Sequence, residues 1–267
     1  MLVIYIYIYL VSIKMTEVYD CVIIGAGLSG LNTAYQLLKK NRKMKIMLVE
    51  KNDMIGGRVK SINLHHEHNY EAGSIRFYPS HKKMLSLLKE FKITKKDFYV
   101  IPQDMKINYA LTQKRFQKIK ETDLELYSLL LDEKNINLIP ESKRLSITLE
   151  EYAILVLGKA KLEYLKVLNA FSHIFQTSMK YGLYLLERDF VKVKEYYIIK
   201  TMTLTDFLYL ILEKMTKMSL QLNLSEEFVS YQMKNNSNLI EVKTNHQKYL
   251  TKNLVITLPP LQLQKIK

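Results

Sequence analysis

The sequence predicts an α/β fold: a Rossmann-like dinucleotide-binding domain interrupted by a largely helical insertion. Three observations carry that prediction. Between Tyr19 and Glu50 a β-branched run passes into a glycine turn, a helix and a second apolar run that ends in an acid. From about Leu111 to Met218 apolar residues recur mainly at helical spacing. From residue 219 the chain returns to strand character and ends an apolar run at Pro259-Pro260. The division that follows is an apolar extension (1–14), a first nucleotide-binding part (15–110), a mainly helical segment (111–218) and a return to the nucleotide-binding domain (219–267).

The extension alternates Ile and Tyr through Ile4-Tyr5-Ile6-Tyr7-Ile8-Tyr9. Its apolar run is far short of the roughly 20 residues that span a bilayer, and it lacks the basic start and small-residue cleavage site of a secretory leader. It reads either as a strand with two apolar faces or as a translated AT repeat upstream of the true start. The second reading is the expectation, with Met15 as initiator; peptide mapping that recovers residues 1–14 from native protein would overturn it.

The next element is a clamp. Cys21-Val22-Ile23-Ile24 flows into Gly25-Ala26-Gly27-Leu28-Ser29-Gly30, and Leu31, Ala34, Tyr35 and Leu38 then follow at i, i+3, i+4 and i+7, the stripe of a helix lying on a sheet. Gly25 allows the tight turn, Gly27 admits a pyrophosphate beside bare backbone, and Gly30 lets helix and strand approach. The helix start offers unpaired N–H groups and the positive end of its dipole to phosphate. Ile46-Met47-Leu48-Val49 forms the second strand, and Glu50, 20 residues past Gly30, is placed to accept hydrogen bonds from ribose hydroxyls.

Two further glycine motifs follow, Gly56-Gly57-Arg58 and Glu71-Ala72-Gly73-Ser74-Ile75-Arg76. Between them lie His65, His66 and His68. Adjacent histidines in a strand point to opposite faces and no cysteine joins them, so a solvated loop is expected and no metal site. Met84, Leu85, Leu87, Leu88 and Phe91 predict a helix after Pro79, packing beside the cofactor domain.

In the helical segment, Thr148-Leu149-Glu150-Glu151 fits a capping box with Thr148 as N-cap. Leu204, Phe207, Leu208, Ile211 and Met215 mark another amphipathic helix. Phe228 to Met233 and Leu239 to Val242, joined by a polar turn, predict a hairpin. Leu254-Val255-Ile256-Thr257 is expected as a fully buried strand. Six of the eight glycines, at 25, 27, 30, 56, 57 and 73, fall in the three motifs, so these positions need glycine for backbone reasons.

Composition narrows the function classes. The net charge of +14 invites a nucleic-acid or anionic-surface reading. Arginine occurs only as Arg42, Arg58, Arg76, Arg115, Arg144 and Arg188, and the lysines are scattered, so no basic arm forms. Abundant Lys, Ile, Asn and Tyr fit an AT-rich coding bias instead. Neither nucleic acid nor membrane is expected as a partner. A single cysteine, Cys21, excludes a disulfide framework, suits a reducing, cytoplasmic setting and reads as a buried small apolar residue.

Taken together, the three motifs resemble the flavin-containing amine oxidases, the family of monoamine, polyamine and L-amino-acid oxidases. The resemblance runs from about Asp20 to Phe77 and returns near Val229 and at Asn253 to Pro260. It implies FAD as cofactor and an inserted, largely helical substrate domain. It also implies roles for Gly25, Ala26, Gly27, Leu28, Ser29 and Gly30 around the pyrophosphate, Glu50 on the adenosine ribose and Lys51 at the adenosine edge. Gly57 and Arg58 would lie at phosphate, Gly73, Ser74, Ile75 and Arg76 along the flavin, and Val229 at adenine through its main chain. Arg76 matches the arginine that binds the substrate carboxylate in L-amino-acid oxidases; the alternative is an ion pair with an acid at the domain interface.

The implied reaction is oxidation of a C–N bond in an amine or L-amino acid, with hydride passing to flavin and oxygen reoxidising the flavin with release of hydrogen peroxide. No side chain is identified as its acid or base. Three features depart from the family. Ile199-Lys200-Thr201-Met202 stands where a Gly-Gly is usual, and His173 lies too far upstream to serve as the pocket histidine. The family's flavin-edge lysine and C-terminal Gly-Glu segment would fall beyond Lys267. A truncated, non-catalytic FAD- or nucleotide-binding relative therefore stands as the alternative, and a homodimer or a complementing C-terminal polypeptide joins the small-molecule substrate and oxygen as expected partners.

Overall fold

The computed structural model describes residues 17–64, 68–102, 119–168, 172–235, 237–264 and 266. The extension 1–14, Met15, His65 and His66 lie outside the described residues. The chain divides into two compact units, one of residues up to 75 with 201 onward, the other of residues 76–200.

The first unit opens with β1 (Val18–Tyr19), β2 (Cys21–Ile24), α1 (Leu28–Lys40) and β3 (Ile46–Val49). Every residue of β2 and β3 is buried, as the unbroken apolar runs require of strands covered on both faces. α1 buries Gly30, Leu31, Ala34, Tyr35 and Leu38, the stripe the sequence marks, and packs on β2 and β3. The segment read as a solvated loop is in part a hairpin: β4 (Ser61–Leu64) pairs antiparallel with β5 (His68–Glu71). Backbone pairing of Ser61 with Glu71 overrides the polar composition there.

The second unit holds α2 (Lys82–Glu90), β6 (Phe98–Pro102), α3 (Asp123–Leu131), α4 (Glu133–Ile136), α5 (Leu149–Leu157), α6 (Lys159–Leu168), α7 (Met179–Leu186) and β7 (Glu195–Ile199). α2, expected after Pro79, buries Leu87 and Leu88 within this unit. The predicted capping box forms: the Glu151 N–H donates to Thr148 Oγ1 at 3.1 Å and the Thr148 N–H to Glu151 Oε2 at 2.7 Å. Leu126, Tyr127, Leu130, Leu149, Tyr152, Phe175 and Leu186 belong to a core gathered from the helices. β7 is strand inside the stretch read as mainly helical, and it pairs antiparallel with β6.

The chain then returns to the first unit with α8 (Leu204–Thr216), β8 (Leu220–Asn223), β9 (Phe228–Met233), β10 (Ile240–Thr244), β11 (Lys248–Thr251), β12 (Leu254–Ile256) and the single turn α9 (Pro260–Leu263). α8 has the predicted buried face but packs on α1, in this unit rather than with the helical segment. The parallel sheet has the order β12-β2-β3-β8. β12 is half-buried, not fully buried as its apolar sequence implied, because it lies at the sheet's edge among the described residues. β9 and β10 form the predicted hairpin in a second sheet of order β1-β11-β10-β9. Val22, Ile24, Met47 and Val49 of the parallel sheet share one core with Phe228, Val242 and Tyr249 of the second sheet. Among the described residues no helix is long and apolar enough to cross a membrane, and no His, Cys, Asp and Glu group could hold a metal ion.

Candidate functional site

At the carboxyl ends of β2 and β3, where parallel α/β sheets place ligands, the first unit has a cavity of about 890 Å³, within the roughly 300–1,000 Å³ of ligand clefts. Gly25, Gly27, Leu28 and Ser29 form one wall, Glu50 and Lys51 another, and Gly57, Arg58, Ser74 and Val229 complete the predicted set that lines it.

Backbone hydrogen bonds tie the three motifs together. The Gly56 N–H donates to Ala26 O at 2.9 Å, laying the Gly56-Gly57-Arg58 turn beside the first glycine turn. The Ser74 N–H donates to Arg58 O at 3.0 Å and the Ala72 N–H to Lys60 O at 2.7 Å, laying the third motif beside the second. Several motif positions admit only glycine: at Gly73 a Cβ would stand 2.1 Å from Arg58 O. A Cβ on Gly30 would stand 1.8 Å from Gly25 O, and Gly56, at φ +125°, would set one 2.4 Å from Val59 O. Gly30 thus supports the cavity from behind.

α1 begins at the cavity with no side-chain cap and no acid in its first turn. No side chain of the helix itself offsets its N-terminal dipole, which favours an anion there. The Arg58 side chain is exposed and has no ion-pair partner among the described residues.

Glu50 is 7 % exposed, and both its oxygens are engaged by backbone: Oε2 accepts from the Ala26 N–H at 2.8 Å and Oε1 from the Asn52 N–H at 2.9 Å. Each oxygen keeps further lone-pair capacity toward the cavity. Ala26 serves through that N–H and is itself fully buried. Lys51 pairs with Glu227 at 2.9 Å, both side chains being more than half exposed.

The sequence reading missed the floor of the site. Glu226, Glu227, Thr257 and Leu258 also line the cavity. Glu226 is 3 % exposed. Tyr249 Oη donates to both its oxygens at 2.8 Å, and Asn223 Nδ2 and Thr244 Oγ1 donate as well. Burial pushes the Glu226 carboxyl up, but these donors outweigh burial and hold it below its ordinary range. Burial and the adjoining carboxylate raise the Tyr249 phenol. The Glu226 N–H also donates to Glu50 O at 2.9 Å, so this network braces the strand end that presents Glu50. An acidic pair before a strand is the only trace of it in the sequence.

Gly73 lies within the backbone pairing of Ala72 and Ser74, and Ile75 is partly exposed. Arg76 begins the second unit, where its guanidinium lies 4.9 Å over the Tyr196 ring.

Comparison with known proteins agrees with the fold. Residues 23–91 match the model of the NAD(P)-binding Rossmann-like domain. The chain is 34% identical over 79 residues to a protein of Dictyostelium discoideum described as probable flavin-containing monoamine oxidase A, covering 30% of this chain and 17% of that one. Over 62 residues it is 40% identical to the mitochondrial L-2-hydroxyglutarate dehydrogenase of the same organism, covering 22% and 14%. The structure matches cyclohexylamine oxidase from Brevibacterium oxydans IH-35A with a TM-score of 0.63 at 13% identity, covering 94% of this chain and 60% of that one. The chain therefore has the flavin amine oxidase-like fold, a Rossmann-like dinucleotide-binding domain with a helical insertion, and spans less than two thirds of the length of these proteins.

Proposed function

We propose that the cavity holds FAD and that the protein is an FAD-dependent oxidoreductase acting on the C–N bond of an amine or L-amino acid. The observation that carries this reading is the backbone linkage of three glycine motifs around one cavity, with a nearly buried carboxylate at the end of β3. FAD would supply the acceptor for a hydride leaving the carbon that bears the amine, with oxygen as the final acceptor and hydrogen peroxide as product.

The chain's own residues do the binding. The open start of α1 and the Arg58 guanidinium stabilise the pyrophosphate charge. Glu50 accepts from the ribose hydroxyls, its orientation already set by the Ala26 and Asn52 N–H groups. Val229 meets adenine through its main chain, and Gly73, Ser74 and Ile75 run along the flavin. Arg76 binds a substrate carboxylate if the substrate is an amino acid; Arg76→Ala then impairs amino-acid turnover far more than FAD retention, and equal loss of both refutes that role.

The test is an absorbance spectrum of purified protein, with peroxide assayed on a panel of amino acids and polyamines. The local likeness to a 2-hydroxy-acid dehydrogenase adds 2-hydroxy acids to that panel. Near-stoichiometric flavin with peroxide from an amine supports the proposal, whereas protein that takes up no flavin refutes it. Flavin without turnover of any substrate supports a binding module instead.

A further inference from the structure

Glu71 opens the third glycine motif and has no part in the cavity. Its carboxylate is engaged on two sides. Oε1 accepts from the Leu204 N–H, the first residue of α8, at 2.8 Å, and Oε2 accepts from Ser61 Oγ at 2.6 Å. Ser61 completes the latch: its Oγ accepts from the Thr205 N–H at 3.2 Å and its own N–H donates to Thr205 Oγ1 at 2.9 Å. The first turn of α8 already has a cap of its own, since the Asp206 N–H donates to Thr203 Oγ1 at 3.1 Å. Glu71 and Ser61 therefore do more than finish a helix. They bolt the β4–β5 hairpin, through residues 133 and 144 positions away, to a helix that packs on α1.

The segments on the hairpin's flanks carry the cavity side chains. Arg58 lies three residues before Ser61 and Ser74 three residues after Glu71, and the two segments are joined by the Ser74 N–H to Arg58 O bond. The Gly56 N–H to Ala26 O bond also ties these segments to the rest of the unit, at the end next to the glycine turn. A carboxylate at a helix N-terminus accepts charge-assisted hydrogen bonds and interacts favourably with the dipole, so the latch is directional as well as strong.

We infer that Glu71 is a positioning residue for the cofactor cavity: its carboxylate clamps the hairpin to the start of α8 and so holds Arg58 and Ser74 at the distance a dinucleotide requires. This rests on the FAD reading above.

The test compares Glu71→Ala with Thr203→Ala, which removes a cap from the same helix without touching the hairpin, and with Glu71→Gln, which keeps an acceptor for the Leu204 N–H. Two quantities are read on the full chain: hydrogen exchange of the Ala72 and Ser74 amides in the flavin-free protein, and the FAD dissociation constant by fluorescence quenching. Glu71→Ala is expected to speed exchange at both amides and weaken FAD binding by about tenfold or more, roughly the worth of one hydrogen bond to a charged group. Thr203→Ala should leave both near wild type, and Glu71→Gln should restore part of the loss. Equal effects from Glu71→Ala and Thr203→Ala on the two readouts would reduce Glu71 to an ordinary cap and overturn the inference. A wild-type chain that takes up no FAD refutes the cofactor reading, and this role with it, whatever the exchange rates are.

Discussion

Glu50→Ala separates two contributions of one carboxylate, and the structure sets the size of each. In the flavin-free protein the substitution removes the acceptor of two backbone N–H groups, those of Ala26 and Asn52. Asn52 is exposed, so water replaces the lost partner at little cost. Ala26 is fully buried, and an orphaned buried N–H costs about 1–3 kcal/mol. Folding stability measured by urea unfolding should drop by about that amount. FAD affinity should fall separately, because the ribose hydroxyls lose a charged acceptor worth about 1–3 kcal/mol, or roughly 5- to 150-fold in the dissociation constant. Glu50→Gln should recover only part of the stability: its one carbonyl can satisfy Ala26 or Asn52, and its amide then faces the other N–H donor. A urea midpoint that falls while FAD affinity stays at the wild-type value would make Glu50 a lock for the turn and nothing more. An unchanged midpoint would refute the hydrogen-bond reasoning itself.

Three further outcomes follow from the same coordinates. Gly27→Ala should leave stability near wild type, because its φ is −76° and its nearest neighbour, Gly56 O, would be 3.5 Å from the new Cβ, yet it should weaken FAD binding by filling the cavity wall; Gly30→Ala, with Gly25 O at 1.8 Å, should cost at least the 1–3 kcal/mol of an overpacked core as well. Denaturation and FAD titration of the pair check this, and a Gly30→Ala protein as stable as wild type would contradict it. Glu241 is held at a pKa of about 2 by hydrogen bonds from Lys234 and Lys248, against 4.5 when unperturbed. A depressed carboxyl pKa contributes stability that is complete above about 4.5 and is lost as pH falls toward 2, so Glu241→Gln should flatten the acid limb of the stability–pH curve in that window and leave its slope at neutral pH alone. Burial, with a smaller effect from Asp20, pushes the Cys21 thiol up to about 11, so a thiol reagent should label the protein at neutral pH only after unfolding; rapid labelling of the native state would place Cys21 at the surface.

Lines of the structure that could be read from the sequence share a physical origin: each is enforced by neighbours within a few residues along the chain. The turn from Gly25 to Gly30 is legible because a side chain at Gly30 would collide with Gly25 O, five residues away. The stripe of α1 and the Thr148–Glu151 box obey helical periods of the same reach. Even the composition of β2 and β3, apolar on both faces, announces strands covered on both sides.

Tertiary pairing decided the rest, and sequence distance explains why it was out of reach. β8 joins the parallel sheet beside β3 across some 170 residues, and its run Leu220-Gln221-Leu222-Asn223 reads locally as nothing more than a short, half-polar strand. The hairpin at 61–71 reads as a polar loop until Glu71 finds the start of α8. β12 has the composition of a central strand but the exposure of an edge, since composition records a strand's preference and not its neighbours. Glu226, which by residue type belongs in water, is buried because Asn223, Thr244 and Tyr249 converge on it from three strands, and a carboxylate is stable there only once all of those donors have been assembled.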